Sequence, residues 1–126
     1  MASQSGVNLN LVCADLNEFD FGLEKWDVIV SIFGHFPSAL RQSVHRNFFA
    51  ALKKNGQVIL EAYTKEQLKY NTGGPQSEEM LYSEDLLKSD FEDFGQLEII
   101  AKERMIHEGQ FHNGLSSVVQ VHAIKV

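Results

Sequence analysis

A chain of 126 residues suits one domain and can bury one hydrophobic core. Its formal net charge of −6 argues against a nucleic-acid backbone or an anionic membrane as main partner, because both recruit basic surfaces. The single cysteine, Cys13, rules out an internal disulfide and sits in an apolar run. It is expected to be a buried free thiol, in keeping with a reducing, cytoplasmic setting. The opening MASQSGVNLN lacks the basic start and apolar run of a signal peptide. No apolar stretch approaches the roughly 20 residues that cross a bilayer.

Residues 7–14, VNLNLVCA, alternate apolar and polar side chains, which predicts a strand ending at Asp15. A polar loop, 17–25, leads to residues 26–33, WDVIVSIF. That near-continuous apolar run has the pattern of a strand buried on both faces of a helix-covered parallel sheet. Gly34, His35 and Phe36 follow, and Pro37 with Ser38 suits a helix start. Leu40, Val44, Phe48, Ala51 and Leu52 then recur at helical spacing, with Arg41, His45 and Lys53 largely off the stripe. The helix is expected to close on Lys53-Lys54-Asn55-Gly56. Cations suit its negative end, and Gly56 suits a left-handed cap.

Residues 57–63, QVILEAY, read as a second buried strand and complete a βαβ unit. One or two helical turns over 64–70 give way to a breaker, NTGGP, at 71–75. Ser83 followed by Asp85-Leu86-Leu87 marks a short helix over 83–91. Residues 96–107 and 115–125 form an antiparallel hairpin about Gly109, Asn113 and Gly114. Together these predict one α/β domain over 1–126. His107, His112 and His122 show no ligand spacing, so no metal is expected. No Gly-x-Ser-x-Gly nucleophile elbow occurs.

The ordered set, a strand ending in ADL, then WDVIVSIFGHF, a helix, LKKNGQVILEAY and a two-stranded finish, resembles the second half of a known family. That family is the class I S-adenosylmethionine-dependent methyltransferases, especially the tellurite-resistance-type and related small-molecule enzymes. The stretch LKYNTGGP adds to the likeness, which spans about residues 7–126. It implies a Rossmann-like methyltransferase fold, mostly parallel, with a C-terminal antiparallel hairpin. Residues 7–14, 26–33, 57–63, 96–107 and 115–125 stand as its third to seventh strands, with the fourth, fifth, seventh and sixth adjacent in that order. Strands 1 and 2 have no counterpart. The glycine-rich cofactor loop and the acid that binds the ribose hydroxyls are expected to be absent with them.

The resemblance also implies a site. Asp15 would accept a hydrogen bond from the adenine amino group, with Leu16 against the ring. Ser31, Ile32 and Phe33 would contact the methionine part of S-adenosylmethionine, beside Gly34. His35 would orient the acceptor or take its proton. Glu61 and Tyr63 would line the substrate pocket, 71–75 would form part of a lid, and Asp27 would be structural. The cofactor carries the reactive methyl, so no strong acid–base pair need appear.

Two function classes follow. One is a methyltransferase-like protein of a family that acts on small molecules, inactive as the isolated chain because the cofactor loop is absent. The other is a non-enzymatic α/β module acting through self-association or a partner protein. The loss of two strands leaves an open edge on residues 26–33, so a homodimer or a missing N-terminal segment is expected there. The short 17–25 loop would also let residues 7–14 slide over and pair beside 26–33.

Overall fold

The computed structural model describes residues 9–69, 80–107 and 113–126. The expected lid at 71–75 and the residues Gly109 and His112 lie outside them. In chain order the elements are β1 (Trp26–Ile32), α1 (Ser38–Ala51), β2 (Leu52–Tyr63), a 3-10 turn (Lys65–Lys69), α2 (Glu84–Asp90), β3 (Gln96–His107) and β4 (Asn113–Ile124). The sheet runs β1-β2-β4-β3. This is the order implied for the fourth, fifth, seventh and sixth strands. Only β1–β2 is parallel; β2–β4 and β4–β3 are antiparallel. The described sheet is therefore mixed rather than mostly parallel. None of the described helices is long and apolar enough to cross a membrane.

One face of the sheet carries the core. Register sets Ile29 beside Val58, Leu60 beside Val121 and Ala62 beside Val119. Val44 and Phe48 of α1, Leu87 of α2, and Phe91 and Phe94 beyond it close over them. Burying side chains of this size contributes about 1.5–3 kcal/mol each. Ser83 caps α2, its hydroxyl accepting from the Leu86 N–H at 3.3 Å.

The end of α1 departs from expectation. The helix stops at Ala51 because Leu52 is already extended, with ψ 143°. Its last carbonyls are met from a distance. Glu24 and Lys25 donate backbone N–H groups to Ala50 and Ala51 at 2.9 and 2.7 Å. The Lys125 ammonium donates to Phe49 and Leu52, both at 2.8 Å. The cation at the helix end is thus Lys125, while Lys53 and Lys54 belong to β2. The left-handed residue is Asn55, at φ 69°, not Gly56. Gly56 is needed for space: a Cβ there would lie 2.8 Å from the Lys53 carbonyl oxygen.

Arg41 and His45 are buried rather than off the packed stripe. They face α2, where Arg41 Nε and His45 Nδ1 both donate to Asp90 Oδ2, at 2.7 and 2.8 Å. Burial works against the Asp90 carboxylate. Hydrogen bonds from His45 and Arg41, with their charges, outweigh it and hold the carboxyl below its usual range.

Three further expectations are corrected. Residues 9–14 form no strand and pair with nothing, so they neither make a third strand nor slide beside β1. A strand pattern needs a partner to become a strand, and residues 24–25 are fastened to the end of α1 instead. Cys13 lies in this segment and is exposed. Finally, β1 is not buried on both faces. Val28, Val30 and Ile32 are 48%, 60% and 48% exposed, because no described helix packs on that face of β1.

Candidate functional site at the strand ends

Residues 31–35 leave β1 at the end where β1 and β2 both finish, the place where open α/β sheets gather ligands. Phe33 turns the chain at φ 53°, a conformation costing a bulky residue about 1 kcal/mol or more. Two contacts hold it there. Its N–H donates to the Glu61 carbonyl at 2.7 Å, and its ring stacks on Tyr63 at 4.6 Å between centroids. The Gly34 carbonyl accepts from the Tyr82 hydroxyl at 2.6 Å. Burial pushes that phenol's pKa well up, so it stays a donor.

His35 is held through both ring nitrogens. Nε2 accepts the Tyr63 N–H at 3.1 Å, which places the proton on Nδ1, and Nδ1 donates to the Met80 carbonyl at 2.6 Å. The ring is thereby fixed in one neutral tautomer and joins residues 80–82 to the strand ends. In this arrangement both ring nitrogens are engaged by backbone groups. Tyr63 is fully buried between Phe33 and His35 and packs with Leu81 and Val118, so it is wall rather than surface.

Glu61 and Ile32 face the opposite, bare side of the sheet. There they line a cavity of about 770 Å³ together with Ile59, Ile100, Gln120 and His122. The Glu61 carboxylate accepts from Arg104 Nε at 2.8 Å and from Arg104 Nη2, and from Gln120 Nε2 at 2.7 Å. Burial opposes its charge, but Arg104, Gln120 and the charge of Lys102 prevail and keep its pKa below the ordinary carboxylate range. Sequence reasoning missed Arg104, Gln120 and Tyr82. One signal was present: in Val119-Gln120-Val121-His122-Ala123, polar residues alternate with apolar ones, as on a strand with one open face.

The remaining expected residues lie apart. Asp15 is exposed, and its carboxylate accepts from the Asn17 N–H of its own turn at 2.9 Å. Leu16 packs against the main core. Asp27 is exposed and lies 3.7 Å from the Lys53 ammonium. His122 Nε2 meets Gln57 Oε1 at 2.7 Å. Among the described residues no three histidine, cysteine or acidic side chains converge as a metal site. The structure thus brings together Ser31, Ile32, Phe33, His35, Glu61 and Tyr63. Asp15 and Leu16 share no hydrogen bond or packing cluster with them.

The α/β fold defined by these elements is similar to part of the fold of solved S-adenosylmethionine-dependent methyltransferases. The chain is similar to TehB from Haemophilus influenzae, at 18% identity and a TM-score of 0.72, over 99% of this chain and 44% of that one. It is similar to a Thermotoga maritima protein described as a SAM-dependent methyltransferase and possible histamine N-methyltransferase. There the identity is 15% and the TM-score 0.60, over 99% and 67% of the two chains. The N-methyltransferase NodS from Bradyrhizobium japonicum WM9 matches at 12% identity and a TM-score of 0.59, over 89% and 57%. This chain therefore spans less than half the length of TehB. No protein-family model and no curated protein matches it in sequence.

Proposed function

We propose that this chain is the substrate-side half of a methyltransferase that transfers a methyl group from S-adenosylmethionine to a small molecule. The observation that carries the reading is the likeness to TehB over 99% of the chain, with residues 31–35 turning at the strand ends where such a fold works. In this reading Ser31, Ile32 and Phe33 form the cofactor-side wall and Glu61 the substrate-side wall. Tyr63 and His35 hold that wall in shape, with His35 as a positioning residue.

The described residues do not by themselves fit the cofactor. The adenine-side candidates, Asp15 and Leu16, are engaged in their own turn and in the core. No described glycine loop faces residues 31–35. No step of methyl transfer is therefore assigned to this chain alone, and activity is ascribed to it only together with a segment that supplies the rest of the pocket. Calorimetric titration of the purified chain with S-adenosylmethionine is expected to give no saturable heat. A saturable micromolar site would overturn that expectation.

A second reading, a non-enzymatic α/β module that self-associates, is favoured by one observation. Among the described residues the outer edge of β1 has no strand beside it, although β1 is apolar nearly throughout.

A further inference from the structure

We propose that Asn55 is a site of spontaneous covalent modification, where its side-chain amide is lost through a cyclic imide with Gly56 to leave aspartate and isoaspartate. The fold calls for this residue pair. Asn55 holds φ 69°, a left-handed conformation that asparagine tolerates better than most residues. Gly56 must follow, because a Cβ there would lie 2.8 Å from the Lys53 carbonyl oxygen and 3.0 Å from the Leu52 side chain. A glycine after asparagine carries no side chain to hinder attack by its own nitrogen. Asn17 and Asn47 instead precede Glu18 and Phe48. Asn55 is also exposed, as are Lys53 and Lys54 before it, so the local backbone rotation that ring closure needs meets little packing. Its carboxamide makes no hydrogen bond to any described residue.

The chemistry needs only the chain and water. The Gly56 nitrogen bonds to the side-chain carbonyl carbon of Asn55, the carbon–nitrogen bond of the carboxamide breaks, and ammonia leaves with the Gly56 proton. Water then opens the imide at either carbonyl. Attack at the side-chain carbonyl restores the main chain and leaves aspartate. Attack at the backbone carbonyl routes the main chain through the side chain and leaves isoaspartate, whose backbone is one carbon longer. The site lies where that carbon matters. Asn55 and Gly56 together oppose Lys125 as a bulge: the Asn55 N–H donates to the Lys125 carbonyl, and the Lys125 N–H donates to the Gly56 carbonyl at 2.9 Å. Lys125 in turn closes α1, its ammonium donating to the Phe49 and Leu52 carbonyls. Isoaspartate therefore shifts the anchor of Lys125 and loosens the end of α1.

The test is ageing of the folded full chain at mildly alkaline pH, read by tryptic mapping and by methyl incorporation from a purified isoaspartyl carboxyl methyltransferase with a labelled methyl donor. Trypsin places Asn55 on residues 55–65 and the other Asn-Gly pair, Asn113–Gly114, on residues 105–125, so the two are read separately. The peptide 55–65 is expected to gain the mass of a hydroxyl over an amino group, to split into two products and to accept methyl groups. It should change about tenfold faster than the peptides carrying Asn17 and Asn47, whose following residues hinder ring closure. Asn55→Gly keeps a residue suited to φ 69° and is expected to abolish the modification there with the far-ultraviolet circular dichroism unchanged. The aged chain is expected to unfold at lower urea than fresh Asn55→Asp, which carries the new charge without the added carbon. A peptide 55–65 that stays unmodified in the folded chain, whether or not urea lets it convert, overturns the proposal. So does conversion no faster than at Asn17 or Asn47. An aged chain as stable as Asn55→Asp overturns the link to α1.

Discussion

The two faces of β2 carry similar side chains and meet different surroundings. Val58, Leu60 and Ala62 are essentially buried, while Ile59, between them, is 45% exposed. Each face also holds an ion-pair network: Arg41–His45–Asp90 under the helices, and Glu61–Arg104–Gln120 on the bare side. The residue types do not explain the difference. α1 and α2 pack on one face, and no described helix packs on the other. An apolar strand residue thus records what the sheet is built to meet, and burial depends on whether that layer is present. The same logic makes the two ion pairs unequal, since one is sealed and the other opens onto a cavity.

The largest expected effect lies in the sealed network. Asp90→Asn leaves the Arg41 guanidinium buried without a counter-charge, which costs about 3–5 kcal/mol in urea unfolding. The sign with pH follows from the lowered Asp90 pKa. The stabilisation is full above the unfolded carboxylate value of about 4 and is lost as pH falls through the lower folded value. Stability of the unaltered chain is therefore expected to drop below about pH 4. Asp90→Asn should flatten that part of the curve, and an unchanged slope would show that Asp90 is not the group titrating.

The open network gives the next effect. The Arg104 side chain is 31% exposed, so solvent shares in its charge. Glu61→Gln is expected to destabilise by about 1 kcal/mol, near the upper end for exposed pairs. The lowered Glu61 pKa places its contribution in the same acid window as that of Asp90. A Glu61→Gln cost equal to that of Asp90→Asn would mean that the bare face is covered in solution.

This inequality also marks how far the sequence could be read. The βαβ unit, the Ser83 cap and the hairpin were legible because each is local: apolar spacing, a capping hydroxyl and a turn. The crowding of residues 31–35 at the strand ends was legible for the same reason. The closure of α1 by Lys125, the burial of Arg41 and the Glu61–Arg104 pair were not. Each joins residues more than 40 positions apart, and only the strand register brings them together. The strand expected over residues 7–14 failed for a different reason. Its pattern is real, but a strand is a pairing, and nothing described stands beside it. The two backbone contacts of the His35 ring were not legible either, because the spacing of motif residues does not reveal them.

The smallest effect tests the comparison most directly. Ile59→Thr keeps β-branching and strand propensity and removes apolar surface that is already nearly half in water. On a bare face the change should stay within about 0.5 kcal/mol, the usual range for surface substitutions. The small effect is expected at low and high protein concentration alike, because no described element covers Ile59. A cost of about 2 kcal/mol that appears only at high protein concentration would place a second layer over the cavity.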